Sequence, residues 1–227
     1  PKRAPAPANV DVVAQLKGYK PAERLAQVAA FDATPANIEQ RTRRALVELG
    51  LKVSLLPKPT RGDVVSATLN LRMGSLESLW GLKGQGSLLA AMLDKGSVGL
   101  SRQQVQDRLT ELKTELALRG SDTVITAVIT STRENLPAAI ELLGRMVREP
   151  ALDAAALEEV RSQTLSAIEQ GRKEPQALVS NTLERYGNPY PVLDPRYARS
   201  FDELTQAVKD ATVDQLRNLH ARILGAS

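Results

Sequence analysis

The clearest period-two stretch of the chain runs from Val64 to Met73: Val65, Ala67, Leu69, Leu71 and Met73 fall on one face, and Ser66, Thr68, Asn70 and Arg72 on the other. That alternation predicts a half-buried strand. Upstream, Leu51 to Leu56 reads as a short strand stopped by Pro57-Lys58-Pro59 and by the Arg61-Gly62-Asp63 turn, and the two are expected to pair as a hairpin. Leu82 through Leu93 switches to helical spacing, with Gly84 and Gly86 at its start and Leu88, Leu89, Met92 and Leu93 as its apolar face. Ser101-Arg-Gln-Gln104 is a capping box that opens a helix to about Leu112. Thr114 to Leu118 reads as a strand, Arg119-Gly-Ser-Asp122 as a turn, and Thr123 to Thr130 as a β-branched return strand. From there the pattern is helical. One helix spans Asn135 to Arg148 and is stopped by Pro150. Another spans Asp153 to about Arg172, with Leu157, Val160, Leu165 and Ile168 along one side. Pro175 opens a helix that ends near Tyr186-Gly187, residues 188–195 form a loop, and the capping box Thr212-Val-Asp-Gln215 opens a last helix to about Leu224. Strand pairs separated by helices and followed by helices alone predict an α+β domain, a mainly antiparallel sheet with helices on one face.

The first forty residues differ in kind. Residues 1–9 are rich in Pro and Ala and read as an extended linker. Val10–Leu16 and Ala22–Ala30 are short helical candidates, so 1–40 is expected to be a connector and 41–227 the domain. The chain opens on Pro1 rather than Met, which is expected of a processed or excised piece. At 227 residues, with 42% hydrophobic and 25% charged residues, it is long enough for one large core. Aromatics make up only 3%, which argues against a base-stacking platform. The net charge is +4, but Lys and Arg are interleaved with 26 acidic residues and the densest basic run, Arg41-Thr-Arg-Arg44, is short, so nucleic acid is not an expected partner. No apolar run approaches the roughly 20 residues of a membrane span. The absence of cysteine excludes disulfides and thiolate metal sites. Arg61-Gly62-Asp63 spells an integrin-ligand tripeptide, and turn chemistry accounts for it.

Candidate chemistry centres on residues 84–97. Ser87, Ala90 and Ala91 share one helix face, the positions at which a His-x-x-Glu-His helix carries two metal-binding histidines and a general-base glutamate. None of the three side chains present binds a metal. His220 is the only histidine, and near the end of a helix it is expected to meet C-terminal carbonyls. Glu111, Glu115, Asp122 and Asp202 show no spacing that argues for acid–base work. Ser87 as a nucleophile has no histidine near it in sequence, which argues against an independent hydrolase.

Several short signatures resemble one domain of the insulinase/pitrilysin-type zinc peptidases, the M16 family, from about Leu49 to the C-terminus. They are Leu49-Gly-Leu-Lys-Val53, Arg72-Met-Gly-Ser75, Gly84-Gln-Gly, Met92-Leu-Asp-Lys-Gly-Ser97, Pro137, Arg148-Glu-Pro150 and Asn188-Pro-Tyr190, the last in place of the family's usual His-Pro-Tyr. The resemblance puts the first zinc histidine on Ser87, the base on Ala90 and the second histidine on Ala91. Thr164-Leu-Ser-Ala167 matches the family's Val-x-x-Glu segment, so the third ligand falls on Ala167, at a spacing of 167 − 91 = 76. Glu169 is about 200° around the helix from that position, and Glu158 and Glu159 are roughly two turns away. The resemblance therefore implies a non-catalytic domain with no cofactor of its own, serving a catalytic M16 domain or subunit that holds the zinc. No activity is expected of this chain alone. In the family, the strand after the capping-box helix is an edge to which extended peptide can add, which here is Thr114, Glu115, Leu116, Ala117 and Leu118. The alternative is a pure assembly module with no substrate contact, as in M16-like core subunits of larger complexes. The family also implies a periplasmic setting, and it usually adds a final strand after the last helix. A chain ending at Gly225-Ala-Ser227 is expected to leave an open sheet edge and to self-associate.

Overall fold

The computed structural model describes residues 30–47, 50–82 and 84–223. The linker and connector helices expected before residue 30 lie outside these residues. The chain forms two compact units, Pro1–Asp63 and Val64–Ser227.

In the first unit, helix α1 (Pro35–Arg41) is followed by strands β1 (Arg43–Leu46) and β2 (Lys52–Leu55), which pair antiparallel from Arg43↔Leu55 to Leu46↔Lys52. This corrects the expected hairpin, because β2 pairs with β1 and not with the strand that starts at Val64. The short connection closes with the Val47 N–H donating to the Leu51 carbonyl at 2.8 Å, so the partner nearest in sequence pairs first. The basic run Arg41–Arg44 bridges α1 and β1, and its Arg44 guanidinium grips Glu39 with two bonds of 2.6 and 2.8 Å. Arg61–Asp63 is a tight 3₁₀ turn in which Gly62 takes φ 70°.

The second unit runs β3 (Val64–Arg72), α2 (Gln85–Met92), β4 (Gly96–Ser97), β5 (Leu100–Ser101), α3 (Arg102–Glu111), β6 (Glu115–Gly120) and β7 (Val124–Thr132). It continues with α4 (Leu136–Arg148), α5 (Ala154–Gly171), α6 (Pro175–Tyr186), α7 (Phe201–Asp210) and α8 (Val213–Ile223). The main sheet is antiparallel, in the order β3-β7-β6. Its register matches inward rows, with Ala67 opposite Ile129, Leu69 opposite Ala127 and Leu71 opposite Ile125. A slip by one residue would turn each row to solvent. Ile125, Ala127 and Ile129 join Met73, Leu89, Met92, Leu93, Leu143, Leu157, Val160, Leu216 and Leu219 in one core beneath the helices, while Ser66, Thr68, Asn70 and Val128 face outward. The protein is thus α+β, with one sheet face covered and one open.

The expected capping boxes form: Ser101 with Gln104, and Thr212 with Gln215. A third box, Ser200 with Glu203, opens α7, a helix not among the expected elements, although Phe201, Leu204 and Val208 have helical spacing. His220 does meet a carbonyl at a helix end, but not in its own helix. It is half-buried in α8, and its Nε2 lies 2.7 Å from the Val147 carbonyl in the last turn of α4.

Candidate functional site: the α2 helix and the β6 edge

Helix α2 starts at a left-handed glycine, Gly84 (φ 71°), which carries no capping side chain. The cap comes from the β6–β7 turn. Asp122 accepts from the Gly84 N–H at 2.9 Å and the Ser87 N–H at 3.2 Å, satisfying donors that the first turn of a helix leaves free. The fit is close. A Cβ on Gly86 would come within 2.6 Å of the Asp122 Cα, so only glycine lets the helix end reach the turn. Arg199, in the segment before α7, stands 3.7 Å from Asp122 with only 8% of its side chain exposed. Burial pulls its guanidinium below the ordinary range, opposed by the charges of Asp122 and Glu203. Gly84, Ser87, Leu88, Thr164, Ile168, Arg199 and Leu204 line a cleft of about 150 Å³ among α2, α5 and α7.

Of the positions singled out in the sequence, only Ser87 lines this cleft. Ser87 is at its mouth, its hydroxyl donating to the Gly84 carbonyl at 3.2 Å. Ala90 is 1% exposed and faces β6, where a Cβ on Gly120 would collide with the Ala90 methyl. Ala91 is on the exposed side of α2, and Ala167 is exposed on α5, one turn beyond the cleft-lining Thr164. One hydroxyl and three methyl groups form no zinc donor set, and the space that a glutamate at position 90 needs is filled by the backbone of β6. The residues present do not fit the metal. Among the described residues no group of three or more His, Asp or Glu side chains is placed to hold a metal ion.

The candidate binding strand runs along the sheet edge. Thr114 precedes it, 8% exposed, sharing a 2.7 Å hydroxyl bond with Ser131. Glu115 and Ala117 are exposed, and Leu116 and Leu118 are half-buried against the core. The Ser121 N–H donates to the Val124 carbonyl at 2.9 Å, and the β6–β7 register continues that ladder through Arg119, Ala117 and Glu115. The backbone groups of Leu116 and Leu118 therefore point away from the sheet. Sequence reasoning singled out Asp122 only as a carboxylate without a partner and passed over Arg199. Gly84 and Gly86 ahead of a helix, with an aspartate in a later turn, were the signal for the first; nothing local marks the second.

A family model for "Insulinase (Peptidase family M16)" matches residues 53–196, more than half of the chain. The fold is similar to the crystal structure of a peptidase M16 inactive domain from Pseudomonas fluorescens (TM-score 0.66, 21% identity), covering 79% of this chain and 43% of that one. It is also similar to a protease from Helicobacter pylori (TM-score 0.64, 14% identity, 79% of this chain and 42% of that one). Pitrilysin gives a TM-score of 0.59 at 18% identity, with 80% of this chain and 19% of that one covered. The chain spans less than half the length of each of these structures. No curated protein matches it. With its sheet, its helix order and the matched segment in agreement, the chain belongs to the insulinase family, peptidase family M16.

Proposed function

We propose that this chain is a non-catalytic M16 domain that scaffolds a catalytic M16 domain or subunit and helps enclose its peptide substrate, with the zinc held by that partner. One observation carries the reading. The helix that bears a peptidase's ligands in this fold is kept in place, but its ligand face has passed to packing, with Ala90 against Gly120 and the helix end capped by Asp122. Retention of the frame without donors supports a role for the shape and not for the chemistry. The edge position of β6 supports the substrate part, since among the described residues no strand pairs with the outward N–H and C=O groups of Leu116 and Leu118, the groups that an extended peptide would meet in strand addition.

Amide hydrogen exchange tests it. Added to the assembled parent enzyme, an extended peptide substrate is expected to slow exchange at Leu116 and Leu118 and to leave Ala117, already bonded to β7, unchanged. Protection absent from both amides while the complex stays intact and active would sink substrate enclosure and favour a pure assembly module.

A further inference from the structure

We infer that the cleft among α2, α5 and α7 is a carboxylate-binding site, in which Arg199 and Thr164 receive a carboxylate carried on a short apolar stem. The reason lies in donors that the fold buries and leaves unspent. Arg199 keeps only 8% of its side chain exposed, yet its guanidinium donates no hydrogen bond to any described residue. Its ionic contact with Asp122, at 3.7 Å, is longer than a hydrogen bond. Two nearby arginines show how a guanidinium in a purely structural role is used. Arg161 of α5 donates to the carbonyls of Val208, Lys209 and Ala211, and Arg172, just after α5, donates to Asp202 and Thr205. Arg199 is more buried than either, whose side chains are 16% and 29% exposed, and makes no such bond. The Thr164 hydroxyl, half-buried on the α5 wall of the same cleft, likewise bonds to no described residue. Buried donors without acceptors are costly, and native structures ordinarily supply a partner.

The acceptor that suits these donors is anionic. Both carboxylates near Arg199 are engaged elsewhere, Asp122 with the Gly84 and Ser87 N–H groups and Glu203 with Ser200 and the Tyr197 hydroxyl. Even with both of them near, burial outweighs their charges and holds the guanidinium below its ordinary range, so a further negative charge would be welcome there. A carboxylate can take two parallel bonds from the guanidinium fork, and Thr164 adds another donor. The shape agrees. A Cβ on Gly84 would come within 2.5 Å of the Arg199 Nη1, so a side chain there would push the guanidinium aside. Leu88, Ile168, Leu204 and Val208 supply apolar wall for a stem. At about 150 Å³ the cleft is well below the roughly 300 Å³ at which sites for whole small ligands begin, so it suits one group of a larger molecule. A peptide's C-terminal carboxylate and a glutamate side chain both present such a group. The site is independent of the strand-addition reading, which rests on β6.

Arginine side-chain NMR of the whole, isotope-labelled chain tests it without any parent enzyme. Sodium propionate is expected to shift the Arg199 Nε–H signal saturably, with a Kd on the order of 1 mM. Propionamide, of the same shape without the charge, should bind at least about tenfold more weakly. N-acetylglutamate α-amide carries only a side-chain carboxylate and N-acetylalanine only a terminal one; binding of either supports the site, and their order identifies the source. Arg199→Lys, which keeps the charge and loses the fork, should raise the propionate Kd at least about tenfold. Ala207→Leu, which fills the cleft and leaves both donors unaltered, should abolish binding, and circular dichroism checks that each variant is folded. No saturable shift by roughly 50 mM propionate, propionamide bound as tightly, neither blocked amino acid bound, or an unchanged Kd in either folded variant would each overturn the proposal.

Discussion

Asp122 does two jobs with one carboxylate, and its removal separates them from ordinary surface effects. It accepts two N–H groups of the first turn of α2 and faces the buried guanidinium of Arg199. Asp122→Ala frees the donors and leaves a cation in a low-dielectric site without its counter-charge. We expect a loss of about 3 kcal/mol, read from urea unfolding. Adding Arg199→Met should recover part of it, because the uncompensated charge goes too; a double mutant as weak as the sum of the singles would refute the pairing. Glu203 offers a pH-dependent counterpart. Its carboxylate accepts from the Ser200 N–H at 2.8 Å, the Ser200 hydroxyl at 2.9 Å and the Tyr197 hydroxyl at 3.0 Å. The Ser200 backbone bond is the main reason that its carboxyl titrates below the ordinary 4.5. A depressed native pKa stabilises the fold above the unfolded value, and that contribution disappears as pH falls through the native one. Melting temperatures of the native chain should therefore drop between about pH 5 and pH 3 by more than those of Glu203→Gln, which has nothing to protonate. Parallel curves would show that the box contributes nothing through its charge.

At the scale of elements, the contact that matters most is α2 on β6. Gly120 is there because Ala90 occupies the space above it, and the two must change together. Gly120→Ala is expected to cost about 2 kcal/mol by overpacking, and Ala90→Gly in the same chain to return roughly half of it, at the price of a helix-interior glycine. Thermal melts of the three proteins decide this; a neutral Gly120→Ala would mean that the helix stands off the strand. Ala90→Glu, which places a carboxylate at this contact, should be worse than either, because it has no room except against β6. Most of these elements were legible in advance. β3, α3, α4, α5 and α6 follow from periodicity and caps, which are local signals. The failures have physical causes. β1 is four residues long, half of them arginine, and reads as a basic run because its stability comes from β2 and not from its own pattern. Adjacency in sequence suggests a β2–β3 hairpin, but β2 pairs with β1 across an even shorter connection, while β3 pairs with β7. α7 has the same kind of start signal in Ser200-Phe-Asp-Glu203 as the helices opened by Ser101 and Thr212, but it follows directly on the Pro-rich loop of residues 188–195, which masks it.

For the molecule as a whole, the question is what ties α2 to the helices around it. In a zinc domain, ligands from two separate helices meet at one ion, and the binding energy of that ion becomes folding energy. Here α2 and α5 pack on each other, and the positions that the resemblance assigns, Ala91 and Ala167, lie one on each; the clasp comes from Asp122 and Arg199, residues 35 and 112 positions away from Ser87 in the chain (122 − 87 and 199 − 87), a separation that no local pattern spans. The tie is now made by that pair, by the Leu88, Leu89, Met92 and Leu93 face of α2, and by Arg161 of α5, whose guanidinium donates to the carbonyls of Val208, Lys209 and Ala211 at the end of α7. A fold held in this way gains nothing from a divalent ion, since a ligand stabilises only in proportion to its affinity for the native state. The purified chain, dialysed against metal-free buffer, should retain no stoichiometric zinc. A chelator or added zinc should shift its melting temperature by less than about 1 °C, where even a site filled to a hundred times its Kd adds about 2.7 kcal/mol. Zinc held mole for mole, with a melting point that falls on chelation, would place donors where Ser87, Ala90, Ala91 and Ala167 supply none. The clasp predicts the opposite sensitivity: Asp122→Ala should lower the melting point by several degrees whether or not zinc is present, because in this domain a carboxylate and a guanidinium hold α2 in place.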